Sequence, residues 1–459
     1  MSDRRTLLAG IVLLAVFVRL AGIGDGLSED EGFSWLVGSA PNLDVFLDRL
    51  ATYENTPPLF YALLTPLPLD DEHWLRLPSF IASVVAVPVL YLAVRPLLGT
   101  PAALLAALAF AVAPYAVNWS NFSRGFMLAN LGLLIALWAV VRLATGGRRA
   151  WWWAYAAGAV VALYSEYDAL LFLAALVAAF AWLAPDRRRE VLALGALPVL
   201  ALLPWLGEFL RSLDALDETK AAPLYPSPSA ASLRDSTVPL FTGEHGTADS
   251  AGLRTVQFAL IAAALTVAVT MLRRHGKRDA LVLIGLTALG TLVLHAFATL
   301  LGPDIFAQRY LTSLIPLAVA LLAGGVVLLP WRWATPVTVA VLLGLGAAVF
   351  AQRYDRELEE ELTPVRALIE QSGDRTILTN SARVAYYLRD LDPILDRPLG
   401  FGTDREAACG DPCPVEFVIV DDARAPSGVR AGPGRTHVFG PLHVRLRPSD
   451  AKEAQVGVQ

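Results

Sequence analysis

Long apolar runs bounded by charged residues, proline or glycine dominate the chain up to about residue 350. A helix needs about 20 predominantly apolar residues to cross a bilayer, and about eleven runs approach that length. The runs predict helices near residues 7–23, 78–95, 101–117, 126–142, 151–164, 168–184, 190–208, 254–272, 279–300, 310–329 and 334–350. This pattern predicts a mainly α, polytopic membrane protein whose first helix is an uncleaved anchor.

The pattern changes from residue 353 onward, where the apolar runs become short. Helical runs at 365–371 and 382–388, strand-like runs at 376–378 and 416–420 and a hairpin at 437–446 predict a small α/β domain. No glycine-rich phosphate loop occurs there, so no nucleotide site is expected. The sequence thus predicts two domains: residues 1–352, which span the membrane and carry long loops at 24–77 and 209–253, and residues 353–459.

Lysine and arginine are concentrated in alternate short loops, whereas the acidic residues occupy the loops between them. The basic residues near predicted helix ends are Arg4, Arg5, Arg95, Arg148, Arg149, Arg187, Arg188, Arg189, Arg273, Arg274, Lys277, Arg278 and Arg332. The positive-inside rule puts these residues and the N-terminus in the cytoplasm. The long loops and the C-terminal domain are then expected outside the plasma membrane. Disulfides persist there, and Cys409 and Cys413 are expected either to form a bridge or to remain two free thiols.

Composition narrows the function classes. The hydrophobic fraction is 55% and the charged fraction 17%, with a mean hydropathy of +0.52. The number of apolar residues exceeds what one soluble core of this size needs. The net charge of −5 argues against a nucleic-acid partner, because binding phosphates needs clustered basic residues. Six histidines and two cysteines leave little material for a metal centre.

The first long loop holds the densest candidate chemistry, the consecutive acids Glu29, Asp30 and Glu31. A carboxylate in a partly dry cleft is a natural general base. The same acids would also suit the capped start of an amphipathic helix beginning near Gly32. The residues alone leave both interpretations open.

Five motifs in chain order carry a resemblance to a known superfamily. They are Asp30-Glu31, Thr56-Pro57-Pro58-Leu59-Phe60-Tyr61, Trp74-Leu75-Arg76-Leu77-Pro78-Ser79, Ser123-Arg124, and Gln308-Arg309-Tyr310-Leu311 with Pro316. Together they resemble the polytopic GT-C glycosyltransferases, and most of all the protein O-mannosyltransferases and aminoarabinose transferases. The resemblance covers the first ten predicted spans. It implies a GT-C fold and the transfer, with inversion, of a sugar from a polyprenyl-phosphate carrier at the outer membrane face.

The resemblance also implies roles for individual residues. Asp30 matches the first acid of the family's pair and would be the general base, with Glu31 orienting the acceptor or Asp30. Four residues are candidates for binding the carrier phosphate: Arg309, Arg124, Arg19 and Tyr310. Guanidinium groups suit phosphate because they can bind two of its oxygens. The structural alternatives are interface anchoring for Arg309 and Arg124, pairing with an acid for Arg19, and an aromatic belt position for Tyr310.

The chain departs from the family pattern at three places. Thr56, preceded by Glu54 and Asn55, stands where a histidine is common; Asn121 lies in a loop where relatives carry an acid; and Glu166 replaces a histidine. A divalent cation, Mg²⁺ or Mn²⁺, is therefore left open as a cofactor, since two carboxylates and a histidine would be its ligands. The candidate sugar or acceptor contacts are Glu54, Asn55, Asn121, Glu166 and His245.

The expected partners are a polyprenyl-phosphate sugar, membrane lipid and an acceptor that is a glycan, a lipid or a protein. The Ala-, Arg- and Pro-rich composition indicates a prokaryotic source, where the resemblance implies decaprenyl-phosphate mannose or arabinofuranose as donors. A hexosyl- or pentosyltransferase is thus expected. The alternatives are a GT-C glycan ligase or polymerase, a lipid or polysaccharide transporter, and a non-catalytic relative that binds carrier lipid.

Overall fold

The chain divides into two compact units. The computed structural model describes residues 2–24, 26–54, 56–148, 150–211, 227–243, 246–301, 305–351, 365–367, 369, 377–379, 381–391, 394–395, 417–421, 435–439 and 442–446. The first unit is Met1–Ile23, Leu50–Pro68 and Arg76–Arg353. The second is Gly24–Arg49, Leu69–Leu75 and Tyr354–Gln459. This division differs from the predicted boundary at residue 352, because parts of the first long loop group with the C-terminal residues.

Apolar helices make up most of the first unit. Their bounds are Ser2–Leu20, Leu59–Leu64, Glu72–Leu98, Thr100–Ala111, Pro114–Ser120, Phe126–Ala144, Trp151–Leu163, Ala169–Leu183, Arg188–Leu202, Ala230–Thr242, Ala251–Arg274, Arg278–Leu301, Leu314–Val327 and Ala334–Ala351. Helix Leu43–Tyr53 precedes Leu59–Leu64, and the segment Leu281–Leu286 is π-helical. Each of the eleven apolar runs in the sequence coincides with helix.

Eleven membrane crossings stay a prediction, because fewer of the described helices have by themselves the length and composition of a membrane span. Among the described residues, six helices are long and apolar enough to span a membrane: Glu72–Leu98, Phe126–Ala144, Arg189–Arg211, Ala251–Arg274, Arg278–Leu301 and Ala334–Ala351. A bent pair would make a seventh. Three others, Trp151–Leu163, Ala169–Leu183 and Leu314–Val327, are apolar but shorter. Leu260 is 66% exposed and Val341 64% exposed, and such apolar helix faces need lipid around them.

The bent pair is Thr100–Ala111 followed by Pro114–Ser120, which meet at 57°. Pro114 supplies no backbone N–H and disfavours helical geometry at the residue before it. Ala113 accordingly has an extended backbone, with φ −60° and ψ 118°. The break leads the chain into Asn121 and Arg124, two of the candidate site residues.

Two glycines let neighbouring helices touch through their backbones. A Cβ atom on Gly132 would lie 2.6 Å from the carbonyl oxygen of Gly158, and a Cβ on Gly158 would meet the Gly132 oxygen at the same distance. Helices Phe126–Ala144 and Trp151–Leu163 therefore pack closely, as small residues allow in membrane proteins. The close packing fixes the start of the first helix relative to the loop that carries Glu166.

The second unit combines two helices with a five-stranded sheet. The helices are Glu29–Gly38 and Ala382–Tyr387. The sheet has the order Ile394–Leu395, Ile377–Thr379, Phe417–Asp421, Leu442–Leu446, Arg435–Phe439, and its first three strands are parallel. The last two strands pair antiparallel. Strand Ile394–Leu395 was not predicted, and a separate domain at 353–459 stays a prediction. The C-terminal elements that lie close to their predicted positions are Ile377–Thr379, Ala382–Tyr387, Phe417–Asp421, Arg435–Phe439 and Leu442–Leu446.

Candidate active site

The three consecutive acids of the second unit have different environments. Ser28 caps helix Glu29–Gly38: its Oγ accepts the N–H of Glu31 at 3.3 Å, and the Glu31 carboxylate accepts the N–H of Ser28 at 3.0 Å. This reciprocal capping box satisfies two backbone donors at the helix start. Glu31 is 1% exposed. The helix therefore begins at Glu29 instead of near Gly32. Glu31 acts as a capping residue of this helix.

Glu29 is also buried, at 3% exposed. Its carboxylate accepts hydrogen bonds from the Ser381 hydroxyl and the Ala382 N–H, both at 2.6 Å. Asp30, between these two buried acids, is partly exposed. Of the three acids, Asp30 is thus the one with a partly exposed side chain.

A second set of candidates meets in the first unit, in a group of four side chains that we name the Arg124 cluster: Glu54, Thr56, Tyr61 and Arg124. Arg124 forms an ion pair with Glu54, and the two side chains are only 11% and 5% exposed. Arg124 also donates to the Tyr61 hydroxyl oxygen at 2.7 Å, and Thr56 donates to the same oxygen at 2.8 Å. The sequence assigned Arg124 to phosphate and Glu54 to sugar, whereas the structure joins them to each other.

Glu166 lies beside this cluster and is buried. Burial raises the pKa of its carboxyl well above the ordinary value, and the charge of Asp168 raises it further, against the opposing charges of Arg124 and Arg309. A carboxyl that keeps its proton can donate a hydrogen bond but is a poor metal ligand, because metal ligands must be deprotonated. Glu166 therefore suits contact with a sugar oxygen better than a divalent cation.

The raised pKa of Glu166 predicts a pH-dependent loss of stability. Above the ordinary glutamate pKa the unfolded chain releases a proton that the folded protein retains, so the free energy of unfolding falls as pH rises toward the folded-state pKa. Glu166→Gln removes this proton linkage. We expect the variant to match the wild type near pH 4 to 5 and to exceed its stability increasingly up to about pH 8.

Thermal unfolding in detergent across this pH range measures the effect, with the exposed Asp44→Asn as the control. A stability difference that is constant with pH, or that grows as pH falls, would contradict the assignment.

A buried acid–histidine pair extends the polar region and was missed by the sequence analysis. His295 has no exposed surface; its Nδ1 lies 2.8 Å from the Thr291 carbonyl oxygen and its Nε2 lies 3.3 Å from the Asp168 carboxylate. Because the carbonyl only accepts, Nδ1 carries a proton. The signal in the sequence was a histidine inside the apolar run 279–300, but its partner is 127 positions away.

Arg309 and Tyr310 belong to a 3₁₀ turn, Gln308–Leu311, and both are partly exposed. The Arg309 guanidinium lies 5.1 Å from the centre of the Tyr310 ring, and that ring meets the edge of Phe126 at 6.1 Å. Arg309 also acts electrostatically on Glu166. The turn therefore places a second, partly exposed cation near Glu166.

Two further candidates are held inside the helix bundle. Arg19 is fully buried; it donates through Nε to Ser83 at 2.8 Å and through Nη1 to the Ala111 carbonyl at 2.6 Å. These hydrogen bonds join three helices, so the guanidinium group of Arg19 is engaged inside the helix bundle. Asn121 is also buried, and its Oδ1 has no hydrogen-bond partner among the described residues.

A small pocket of about 10 Å³, roughly the room that one water molecule needs, lies beside Glu166. Its polar wall consists of Asn130, Glu166, Asp168, Thr312 and Ser313. Carboxyl, amide and hydroxyl groups of this kind can hydrogen-bond one water molecule or one hydroxyl group. Asp30 and Glu31 belong to the second unit and do not line this pocket.

Two of the acidic candidates for metal binding, Glu54 and Glu166, lie among the described residues. Asn55 and His245 lie outside the described residues, as do Glu244, Cys409 and Cys413. Within the described part of the chain, no group of three histidine, cysteine or acidic side chains could hold a metal ion. Glu54 is neutralised by Arg124 and Glu166 favours its protonated form. Glu54 and Glu166 therefore do not fit a divalent cation.

Comparisons with known proteins agree with this architecture. Residues 56–207 match the protein family described as dolichyl-phosphate-mannose-protein mannosyltransferase. No curated protein matches the chain.

Solved structures give a match along nearly the whole chain. ArnT from Cupriavidus metallidurans bound to undecaprenyl phosphate is 14% identical with a TM-score of 0.63, and the alignment covers 97% of this chain and 98% of that one. The apo form of ArnT is 15% identical with a TM-score of 0.61, over the same shares of the two chains.

A more distant match is archaeal oligosaccharyltransferase AglB from Archaeoglobus fulgidus, in complex with an inhibitory peptide and a dolichol-phosphate. It is 12% identical with a TM-score of 0.52, and the alignment covers 91% of this chain and 69% of that one. Identities this low establish a shared fold. The chain therefore shares the GT-C-like fold of these membrane proteins, and residues 56–207 also resemble the mannosyltransferase family.

Proposed function

We propose that the protein is an inverting glycosyltransferase that moves a sugar from a polyprenyl-phosphate donor to a cell-envelope acceptor at the outer face of the plasma membrane. The observation that carries this proposal is the environment of Asp30. It is a partly exposed acid in the first turn of a capped helix, and it lies between two buried acids whose carboxylates cap helix ends. The N-terminus is cytoplasmic in this proposal.

Asp30 acts as the general base. The acceptor hydroxyl oxygen attacks the anomeric carbon of the sugar from the face opposite the phosphate, and the bond from that carbon to the phosphate oxygen breaks. The hydroxyl proton passes to the Asp30 carboxylate. The products are the inverted glycoside and polyprenyl phosphate, which leaves as an anion and needs cations or hydrogen-bond donors but no acid.

Arg309 binds the donor phosphate. Its partly exposed guanidinium can offer two parallel donors to phosphate oxygens, and such charge-assisted bonds contribute about 1.5–3 kcal/mol each. Arg124 contributes positive charge nearby but is bonded to Glu54 and Tyr61. Glu166 contacts a hydroxyl group of the sugar.

We expect Arg309→Gln to raise the donor KM by about 10- to 100-fold, because the amide keeps hydrogen-bonding ability but loses the charge that holds the phosphate. Steady-state release of polyprenyl phosphate at varied donor concentration measures this. Arg332→Gln is the control, since Arg332 is an exposed arginine beside Trp333. A wild-type KM for Arg309→Gln would remove Arg309 from the phosphate site.

An apolar groove of about 180 Å³ in the first unit suits part of the isoprenoid chain of the carrier. Five helices line it: Thr100–Ala111, Pro114–Ser120, Ala230–Thr242, Leu314–Val327 and Ala334–Ala351. Helix Ala230–Thr242 also packs on the turn that carries Arg309. One helix thus connects the proposed phosphate contact with an apolar surface for the lipid.

The test is incubation of the purified protein in detergent with a panel of polyprenyl-phosphate sugars, including decaprenyl-phosphate mannose and arabinofuranose, with and without EDTA. Release of polyprenyl phosphate by the wild type, unaffected by EDTA, is the expected result. Absence of release with every donor, while carrier lipid still binds, would replace this proposal with a glycan ligase or a non-catalytic lipid-binding relative.

A further inference from the structure

The helix that carries Asp30 is bonded to a helix near the other end of the chain. Within the second unit, the Glu29 carboxylate receives the Ser381 hydroxyl and the Ala382 N–H at 2.6 Å, and the Arg383 N–H at 3.4 Å. These donors form the start of helix Ala382–Tyr387. Glu29 therefore caps the N-terminus of a helix more than 350 positions away, and both of its carboxylate oxygens accept hydrogen bonds there.

Gly32 makes the same two helices touch through their backbones. A Cβ atom at Gly32 would lie 2.5 Å from the carbonyl carbon of Ala382 and from the nitrogen of Arg383. No side chain fits at that distance without moving backbone. Gly32 follows Glu29 by three residues, so both lie on one face of the helix.

Three aromatic residues, Trp35, Tyr386 and Tyr387, add to the contact between the two helices. The Trp35 ring meets the buried Tyr386 ring edge to face, with centroids 5.7 Å apart. The Tyr387 hydroxyl accepts the N–H of Leu27 at 2.9 Å. Contacts at residues 27, 29, 32 and 35 thus run along the helix and its entry, while Asp30, about 100° around the helix from Glu29, stays partly exposed.

We propose that helix Ala382–Tyr387 fixes the position of the catalytic carboxylate, and that Glu29 and Gly32 are positioning residues for Asp30. This inference rests on the proposed function, in which Asp30 is the base. A base must lie within hydrogen-bond reach of the hydroxyl that it deprotonates, and a misplacement of about 1 Å costs on the order of 100-fold in rate. A hydrogen-bonded, backbone-to-backbone contact supplies that precision, and it makes residues near position 382 part of the catalytic apparatus.

Three variants loosen the contact from both sides. Glu29→Gln puts an amide NH₂ group against backbone and hydroxyl donors, Gly32→Ala forces the backbones apart, and Ser381→Ala removes one donor mildly. The matched controls are Asp44→Asn, an exposed acid of the same unit, and Gly252→Ala, where an added Cβ meets nothing within 4 Å.

We expect kcat to fall about 10- to 100-fold in Glu29→Gln and Gly32→Ala, and less in Ser381→Ala. The donor KM should stay within about twofold of the wild type, because the phosphate and lipid contacts are untouched. Hydrogen exchange at the amides of Ala382 and Arg383 should become at least about tenfold faster in Glu29→Gln. The controls should match the wild type in all three measurements.

The outcomes separate this inference from the proposed function. If Asp30→Asn retains wild-type turnover, the proposed base fails and the positioning role fails with it. If Asp30→Asn is inactive but Glu29→Gln and Ser381→Ala keep the wild-type kcat while exchange at Ala382 accelerates, only the positioning role is overturned. Should Gly32→Ala not fold, Ser381→Ala and Glu29→Gln still decide the matter.

Discussion

Asp30→Asn is expected to lower kcat by about 10²- to 10⁴-fold while leaving donor binding intact, because a positioned general base contributes that range to a proton-transfer step. Asparagine has nearly the same size and keeps a carbonyl oxygen, so it can still orient the acceptor hydroxyl. It cannot take the proton, and attack on the anomeric carbon then needs solvent as the base.

The measurement is polyprenyl phosphate release under donor saturation, together with equilibrium binding of the polyprenyl phosphate itself. Asp44→Asn, an exposed acid-to-amide change in the same unit, should keep wild-type turnover. If the kcat of Asp30→Asn is unchanged, Asp30 is not the base. If binding is lost together with turnover, Asp30 acts in donor recognition instead of proton transfer.

The apolar pattern predicted the helices well because burial in lipid and burial in protein both demand apolar residues with the same helical periodicity. For the same reason it does not determine the number of membrane crossings. Leu314–Val327 is almost entirely buried in protein, whereas Ala334–Ala351 is largely exposed, yet both read as apolar runs. Composition does not distinguish a helix surrounded by helices from one that faces lipid.

The acidic triplet was recognisable from the sequence, but the separate role of each acid was not. Ser28 and Glu31 have the spacing of a capping box, so that role depends on local sequence. The role of Glu29 depends on residues 381–383, which only the tertiary structure brings next to it. The partial exposure of Asp30 follows from both, and it could not be predicted from three identical charges in a row.

The Arg124 cluster illustrates the same limit. Glu54 and Arg124 are 70 positions apart, and each was a reasonable ligand-binding candidate while it was considered alone. Their ion pair changes both assignments, because a guanidinium that neutralises a buried carboxylate is less available to phosphate. The contact between Asp168 and His295 could not be predicted from the sequence, since neither residue belongs to a motif.

Arg124→Met is expected to lower the free energy of unfolding by about 3–5 kcal/mol, which is typical when one partner of a buried ion pair is removed. The variant leaves the carboxylate of Glu54 without its cation in a site where the two side chains are only 5% and 11% exposed. Denaturant titration in mixed micelles measures the loss. Arg211→Met is the control: its pair with Glu208 has side chains 63% and 36% exposed, and exposed pairs contribute about 0–1 kcal/mol.

The double variant Glu54→Gln/Arg124→Met distinguishes an ion pair from two unrelated residues. Removing both charges avoids the buried, uncompensated carboxylate, so the double variant should be more stable than Arg124→Met alone, by about 1–3 kcal/mol. Strictly additive losses would mean that the two side chains do not stabilise each other. Recovery of stability without recovery of turnover would further indicate that the charge of Arg124, beyond holding Glu54, is needed near the departing phosphate.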